Sequence, residues 1–168
     1  SNAKLALDES IALLERGLPP QYITKKAHFY GNVFNVDSNV LIPRQETEEL
    51  VDWIINDHIG NPPPCLLEVG TGSGCISISL GDAFAKADIT ATDVRNEALK
   101  IAKTNASNIL GNHNIRFKQQ DILSVNEIEP FDVIVSNPPY VRESEKVEIH
   151  KNVLDHEPAT ALFVEDDD

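Results

Sequence analysis

Glu68-Val69-Gly70-Thr71-Gly72-Ser73-Gly74 is the stretch that decides the fold, because it joins an apolar run at 65–69 to a second one that begins at Cys75. The first run predicts a buried strand and the second a helix, so the three glycines occupy a strand-to-helix turn. Without a Cβ atom, a glycine lets the backbone pass close to a ligand. The stretch therefore predicts an α/β fold with a small-molecule site at this turn.

Strands and helices alternate outward from this turn. The predicted elements are a strand from Cys65 to Val69, a helix from Cys75 to Phe84, a strand from Asp88 to Asp93, a helix from Glu97 to Ile109, and strands from Asn114 to Gln119 and from Phe131 to Ser136. Such alternation predicts a mostly parallel sheet with helices on both faces.

Three further elements are predicted before the glycine stretch. Apolar residues at helical spacing predict a short helix from Lys4 to Arg16. An alternating pattern predicts a β-hairpin from His28 to Leu41, with its turn at Gly31-Asn32. A second amphipathic helix is predicted from Thr47 to His58.

The composition argues against several classes of protein. Among 168 residues, 27 acidic and 14 basic ones give a net charge of −13, which counts against stable binding of nucleic acid. No apolar run approaches the ~20 residues that cross a bilayer, so no membrane association is expected. Cys65 and Cys75 predict buried thiols, which suits the cytoplasm. The five histidines share no metal-ligand spacing, so no metal site is expected.

The glycine stretch has two other interpretations. It could be a turn that only links strand to helix, or the fingerprint of a dinucleotide site. A dinucleotide site needs its third glycine three residues after the second, where this chain has Cys75. The acidic Glu68 suits a ligand with an ammonium group, which its carboxylate could attract. Alternatively, Glu68 could anchor the glycine loop, which is formed by residues 70–74.

Polar residues at the ends of the next two predicted strands extend the candidate ligand site. Asp93 is placed to accept hydrogen bonds from both hydroxyls of a ribose, although it could simply cap the next helix. Asp121 and Ile122 are placed to border and cover an adenine ring, although Asp121 could be a solvated turn residue.

A second motif, Asn137-Pro138-Pro139-Tyr140, follows the last predicted strand. The prolines have no backbone N–H, so the turn presents only acceptors. The side-chain oxygen of Asn137 and the carbonyl of Pro138 could hold both hydrogens of a planar NH2 group, and Tyr140 offers a face for stacking. The alternative is a proline-rich surface turn with an incidental aromatic residue.

With these motifs the chain resembles the HemK/PrmC family, which methylates the glutamine side-chain amide in the Gly-Gly-Gln loop of peptide chain release factors. The resemblance also includes Gln21-Tyr22-Ile23, Phe29-Tyr30-Gly31, Leu41 to Val51, Val153 to Pro158, and Ala161-Leu162. It implies a Rossmann-like S-adenosylmethionine-dependent methyltransferase fold, preceded by a short helix and a β-hairpin. It also implies a cytoplasmic enzyme whose partner is a release factor.

The motifs and the resemblance together assign roles to single residues. The expected contacts of S-adenosylmethionine, and of its product S-adenosylhomocysteine, are Glu68, Gly70, Thr71, Gly72, Ser73, Gly74, Asp93, Asp121, Ile122 and Asn137. The glutamine is expected to bind at Asn137, Pro138, Pro139 and Tyr140, of which Asn137, Pro138 and Tyr140 are the candidate catalytic residues.

The chain departs from the family pattern in several places. Gln45 replaces the usual proline, Glu68 replaces the commoner aspartate, and most of the family's N-terminal helical domain is absent before Lys4. Residues 1–3, Ser1-Asn2-Ala3, are typical of the remnant of a cleaved tag. Residues 4–45 are expected to be the end of the helical domain plus a hairpin linker. Residues 46–168 are expected to be a catalytic domain that lacks its last strands.

Two rival functions use parts of the same pattern. A nucleic-acid methyltransferase would apply the Asn-Pro-Pro-Tyr motif to the exocyclic amine of a flipped adenine, cytosine or guanine. The net charge of −13 and the family-specific segment at 41–51 count against it. A non-catalytic scaffold that binds S-adenosylmethionine would need the glycines but not Asn137.

Overall fold

The computed structural model describes residues 2–111, 115–125, 127–148, 151–164 and 166. In chain order its helices and strands are α1 (Asn2–Glu15), α2 (Pro20–Thr24), β1 (Lys26–Phe29), β2 (Asn32–Asn35), α3 (Gln45–Asp57), β3 (Cys65–Val69), α4 (Cys75–Ala83), β4 (Asp88–Asp93), α5 (Asn96–Leu110), β5 (Ile115–Gln119), β6 (Val133–Ser136), β7 (Val141–Arg142), α6 (Lys151–His156) and β8 (Phe163–Val164).

The predicted parallel sheet is confirmed. Its four strands lie in the order β5-β4-β3-β6, and every neighbouring pair is parallel. The bounds of β3 and β4 agree with the prediction, whereas β6 begins at Val133 rather than Phe131. The first residue predicted for β5, Asn114, lies outside the described residues.

One face of the sheet forms the core. Leu66, Ile89 and Val135 lie on this face and pack in one buried cluster with side chains of α3, α4 and α5. On the other face, Arg116 and Ile134 are exposed. The prediction of helices on both faces is therefore confirmed for the face that carries Leu66. On the opposite face, the described residues Arg116 and Ile134 are not covered by a helix.

The β-hairpin forms as predicted, but its turn lies one residue earlier. Phe29 pairs with Asn32, so the turn residues are Tyr30 and Gly31 rather than Gly31 and Asn32, and β2 ends well short of Leu41. Tyr30 and Gly31 have positive φ angles of 47° and 76°, as a type I′ turn requires. The backbone N–H of Tyr30 donates to a carboxylate of α3 (2.8 Å), which holds this unusual conformation.

Helix α1 forms where its periodicity predicted it, but its apolar side chains are not buried. Leu5, Leu7, Ile11 and Leu14 are between 44% and 64% exposed. The helical spacing of these residues therefore does not mark a buried face in this chain.

Among the described residues, no helix is long and apolar enough to cross a membrane.

The segment after β6 returns to the start of α3. Glu157, which follows α6, is buried and forms an ion pair with Arg44 at 2.6 Å. It also accepts the backbone N–H of Ile42 at 3.3 Å. This contact joins 41–51 and 153–158, two segments that carry the family resemblance and that are far apart in the sequence.

Candidate active site

Most of the predicted site residues meet at one cavity of about 470 Å³, at the carboxyl ends of β3, β4 and β6. Open parallel sheets bind ligands at this edge. The predicted residues that line the cavity are Glu68, Gly70, Thr71, Gly72, Ser73, Asp93, Asp121, Ile122, Asn137, Pro138 and Pro139. Gly74 and Tyr140 are the two predicted site residues that do not line it.

Gly74 and Tyr140 differ from expectation for separate reasons. A Cβ atom on Gly74 would lie 2.8 Å from Ile78 Cδ1 and 3.2 Å from Ala102 Cβ, so this glycine allows the loop to pack closely on two helices. Tyr140 is 78% exposed and outside the cavity, so its ring is not in the predicted stacking position in this structure.

The other two glycines give the cavity an open backbone wall. Gly70 and Gly72 have positive φ angles of 74° and 55°, and a Cβ atom on either would meet no atom within 4 Å. The loop is fixed to β4, because the backbone N–H groups of Gly70 and Thr71 both donate to the Thr92 carbonyl, at 2.9 and 2.8 Å. A ligand can therefore approach a backbone surface that is already ordered.

Glu68 anchors this loop, which is one of its two predicted roles. Its side chain is buried, and one carboxylate oxygen accepts the Thr71 hydroxyl (2.5 Å) and the backbone N–H of Ser77 (3.1 Å). Burial raises the pKa of Glu68 to about 7, against the lowering effect of its hydrogen bonds from Ser77 and Thr71. The residue also borders the cavity, so an interaction with a cationic ligand stays a prediction.

Asp93 at the end of β4 organises the same wall. One of its carboxylate oxygens accepts the backbone N–H of Gly72 and the other accepts that of Arg95, both at 2.9 Å. The N-cap position of α5 is Arg95, so Asp93 is not the capping residue itself. Each carboxylate oxygen can accept further hydrogen bonds, which leaves Asp93 able to hold ribose hydroxyls.

Asp121 and Ile122 follow β5 and border the cavity. Asp121 caps a short 3-10 helix at Ile122–Ser124, accepting the Leu123 N–H at 3.0 Å and the Ser124 hydroxyl at 2.9 Å. It is exposed but not a free turn residue, because its side chain caps the short helix that begins at Ile122. The apolar side chain of Ile122 is half-buried at the cavity.

Asn137 follows β6 and lines the cavity through a half-buried side chain. Its Nδ2 atom donates to the hydroxyl of Thr47 at 3.2 Å. Just before it, the Ser136 hydroxyl donates to the Val69 carbonyl at 2.8 Å, which ties the turn to the start of the glycine loop. The Asn-Pro-Pro-Tyr turn at residues 137–140, here called the acceptor turn, therefore lies next to the glycine loop.

Several residues that support the site were not predicted from the sequence. Thr47 and the Arg44–Glu157 ion pair lie in segments that carried the resemblance, but nothing in those segments indicated their contacts. Asn105 is fully buried and makes four hydrogen bonds, to Asn35 of β2 and to the Ser73 carbonyl in the glycine loop. Its helical spacing with the buried Ala98 and Ala102 of α5 could have identified it.

The cavity has little redox or nucleophilic chemistry of its own. Burial raises the pKa of the Cys75 thiol to about 12, so it remains protonated at neutral pH and is a poor nucleophile. Both cysteines are free and half-buried. In the part of the chain that the structure describes, no group of three or more His, Cys, Asp or Glu side chains could hold a metal.

A parallel sheet that places a glycine loop, a strand-end aspartate and an Asn-Pro-Pro-Tyr turn around one cavity has the fold of the S-adenosylmethionine-dependent methyltransferases. The chain belongs to the methyltransferase small domain family, whose model matches residues 47–162. Its sequence also confirms the resemblance to the HemK/PrmC family of release factor glutamine methyltransferases.

The similarity to that family extends over nearly the whole chain. The chain is 47% identical to the release factor glutamine methyltransferase of Flavobacterium psychrophilum over 172 residues, covering 99% of this chain and 60% of that protein. It is 47% identical to the protein of the same name from Bacteroides thetaiotaomicron over 165 residues, covering 96% and 58%. The chain therefore spans about 60% of the length of these relatives.

Solved structures of lower sequence identity share the fold. The hMettl16 catalytic domain, crystallised with a MAT2A 3′UTR hairpin, has a TM-score of 0.60 and 17% identity, covering 93% of this chain and 68% of that one. A SAM-dependent methyltransferase from Agrobacterium tumefaciens has a TM-score of 0.55 and 20% identity, covering 68% and 39%. At these identities the comparison establishes the fold alone.

Proposed function

We propose that this protein is an S-adenosylmethionine-dependent methyltransferase that modifies the glutamine side-chain amide in the Gly-Gly-Gln loop of peptide chain release factors. The observation that carries the proposal is the acceptor turn at Asn137, held beside the glycine-loop cavity. The 47% identity to proteins named release factor glutamine methyltransferase supports the choice of substrate. A role in translation termination and a cytoplasmic location follow from that substrate.

The cavity fits S-adenosylmethionine. The open backbone of Gly70 and Gly72 suits close approach of the methionine portion, and Asp93 retains acceptor capacity for the ribose hydroxyls. Ile122 supplies an apolar surface for adenine. When bound, this cofactor supplies a methyl group activated by a sulfonium.

The Asn137 turn answers the main chemical difficulty of the reaction. An amide nitrogen is a weak nucleophile, because its lone pair is delocalised into the carbonyl group. The Asn137 side-chain oxygen and the Pro138 carbonyl accept the two hydrogens of the substrate NH2, which raises electron density on nitrogen and fixes its direction. The remaining acceleration comes from positioning rather than from a strong base.

Transfer of a labelled methyl group tests the proposal. The full-length protein is incubated with S-adenosylmethionine labelled in the methyl group, together with a release factor, RNA or DNA. We expect label in the release factor, and none when the loop glutamine is changed to alanine. Label in nucleic acid alone would establish the rival substrate, and cofactor binding without transfer to any polymer would indicate a scaffold.

A further inference from the structure

Thr47 makes a contact that bears on how Asn137 works. Its hydroxyl lies in the first turn of α3 and accepts the Nδ2 hydrogen of Asn137 at 3.2 Å. Within the described residues the Oδ1 atom of Asn137 makes no hydrogen bond. Both side chains border the cavity. The contact therefore occupies the donor end of the asparagine amide and leaves its acceptor end available.

We infer that Thr47 is a positioning residue, which holds the Asn137 amide in the orientation that donates to its hydroxyl and so leaves the amide oxygen to receive the substrate NH2. This inference rests on the proposed function. The two ends of an asparagine amide have nearly the same shape, so shape alone selects neither orientation. A reversed amide would direct donors at the hydrogens of the substrate NH2, and the acceptor pair with Pro138 would be lost.

Thr47 is well supported for this task. It is only 9% exposed, and its β-branched side chain has few rotamers in a helix. Its backbone N–H donates to the Arg44 carbonyl at 3.1 Å, and the Arg44 guanidinium is paired with the buried Glu157. One turn further along α3, Val51 is fully buried in the core. The hydroxyl is thus fixed relative to the sheet that carries Asn137.

A comparison of Thr47→Val with Thr47→Ser in the full-length protein tests this inference. Valine keeps the shape and branching of threonine but has no hydroxyl, whereas serine keeps the hydroxyl. We expect Thr47→Val to reduce single-turnover methyl transfer by about tenfold at saturating cofactor, with cofactor affinity within about twofold of the unsubstituted protein. Thr47→Ser should restore most of the rate. Thr104→Val, at an exposed position of α5, is the matched control and should leave the rate unchanged.

A double substitution separates orientation from other effects of Thr47. If Thr47 acts only through Asn137, adding Thr47→Val to Asn137→Ala should cause no further loss of rate. A further tenfold loss would overturn the inference. So would an unchanged or faster Thr47→Val enzyme, which is the result expected if the Thr47 hydroxyl instead donated to Oδ1 and masked the acceptor.

Failure of the proposed function is distinguishable from failure of this inference. If the unsubstituted protein methylates no release factor, the proposed function is wrong, and the side-chain NH2 resonances of Asn137 then test its contact with Thr47. Thr47→Val should displace these resonances and Thr47→Ser should leave them near their original position. Resonances that do not move in Thr47→Val would overturn the inference whatever the substrate.

Discussion

Replacing Glu68 with glutamine should change how the stability of the protein depends on pH. Burial raises the pKa of Glu68 from 4.5 to about 7, hydrogen bonds from Ser77 and Thr71 partly oppose this, and the charge of Asp93 adds to the rise. In the unfolded chain the same carboxyl is solvated and titrates near 4.5. Folding therefore shifts the proton affinity of this one group.

The sign and size of the effect follow from these two pKa values. Below pH 4.5 Glu68 is protonated in both states and its titration makes no difference. Between pH 4.5 and about 7 the folded state binds more protons than the unfolded state, so stability falls as pH rises. At roughly 1.4 kcal/mol for each pKa unit, the full loss above pH 7 is about 3 kcal/mol.

Glutamine is the informative substitution because its amide oxygen can still accept from Thr71 and Ser77 while the group no longer titrates. Denaturant unfolding from pH 4.5 to 8 should show that Glu68→Gln becomes more stable relative to the unsubstituted protein as pH rises, by about 3 kcal/mol in total. Glu127→Gln, at an exposed carboxylate, controls for the change in net charge. A stability difference that stays constant to within about 1 kcal/mol across this range would refute the reasoning.

Three further predictions concern the cavity and its support. Asp93→Ala removes the acceptor for the Gly72 and Arg95 N–H groups and the proposed ribose contacts. Calorimetry should therefore show that the affinity for S-adenosylmethionine falls at least about tenfold, and an unchanged affinity would exclude this role. Asn137→Ala should slow single-turnover methyl transfer by roughly 100-fold while cofactor affinity changes little, and near-normal transfer would rule out the acceptor mechanism. Asn105→Ala leaves buried backbone groups without partners and should lower the free energy of unfolding by about 2 to 4 kcal/mol; a loss below about 1 kcal/mol in denaturant unfolding would contradict this.

The sequence by itself determined the order of the main elements from α3 to β6 and the location of the cavity, but it did not predict α2, β7, α6 or β8. Apolar runs of strand length and helical spacings are local patterns, so the strands at 65–69 and 88–93 were predicted with their observed bounds. The glycines at 70 and 72 also express a local requirement, since each has a positive φ angle. Because parallel strands end at one edge of a sheet, the motifs after β3 and β6 could be predicted to converge.

Only the tertiary structure decided which side chains meet there. The local pattern predicted the hairpin, but the turn lies one residue earlier than predicted, at Tyr30. There the Glu48 carboxylate of α3 accepts the Tyr30 backbone N–H and so stabilises the turn. Tyr140 keeps its ring outside the cavity although its motif was recognised. Thr47 reaches Asn137 across 90 positions of sequence. Such contacts depend on the packing of whole elements against each other, and no periodicity within a single segment encodes that packing.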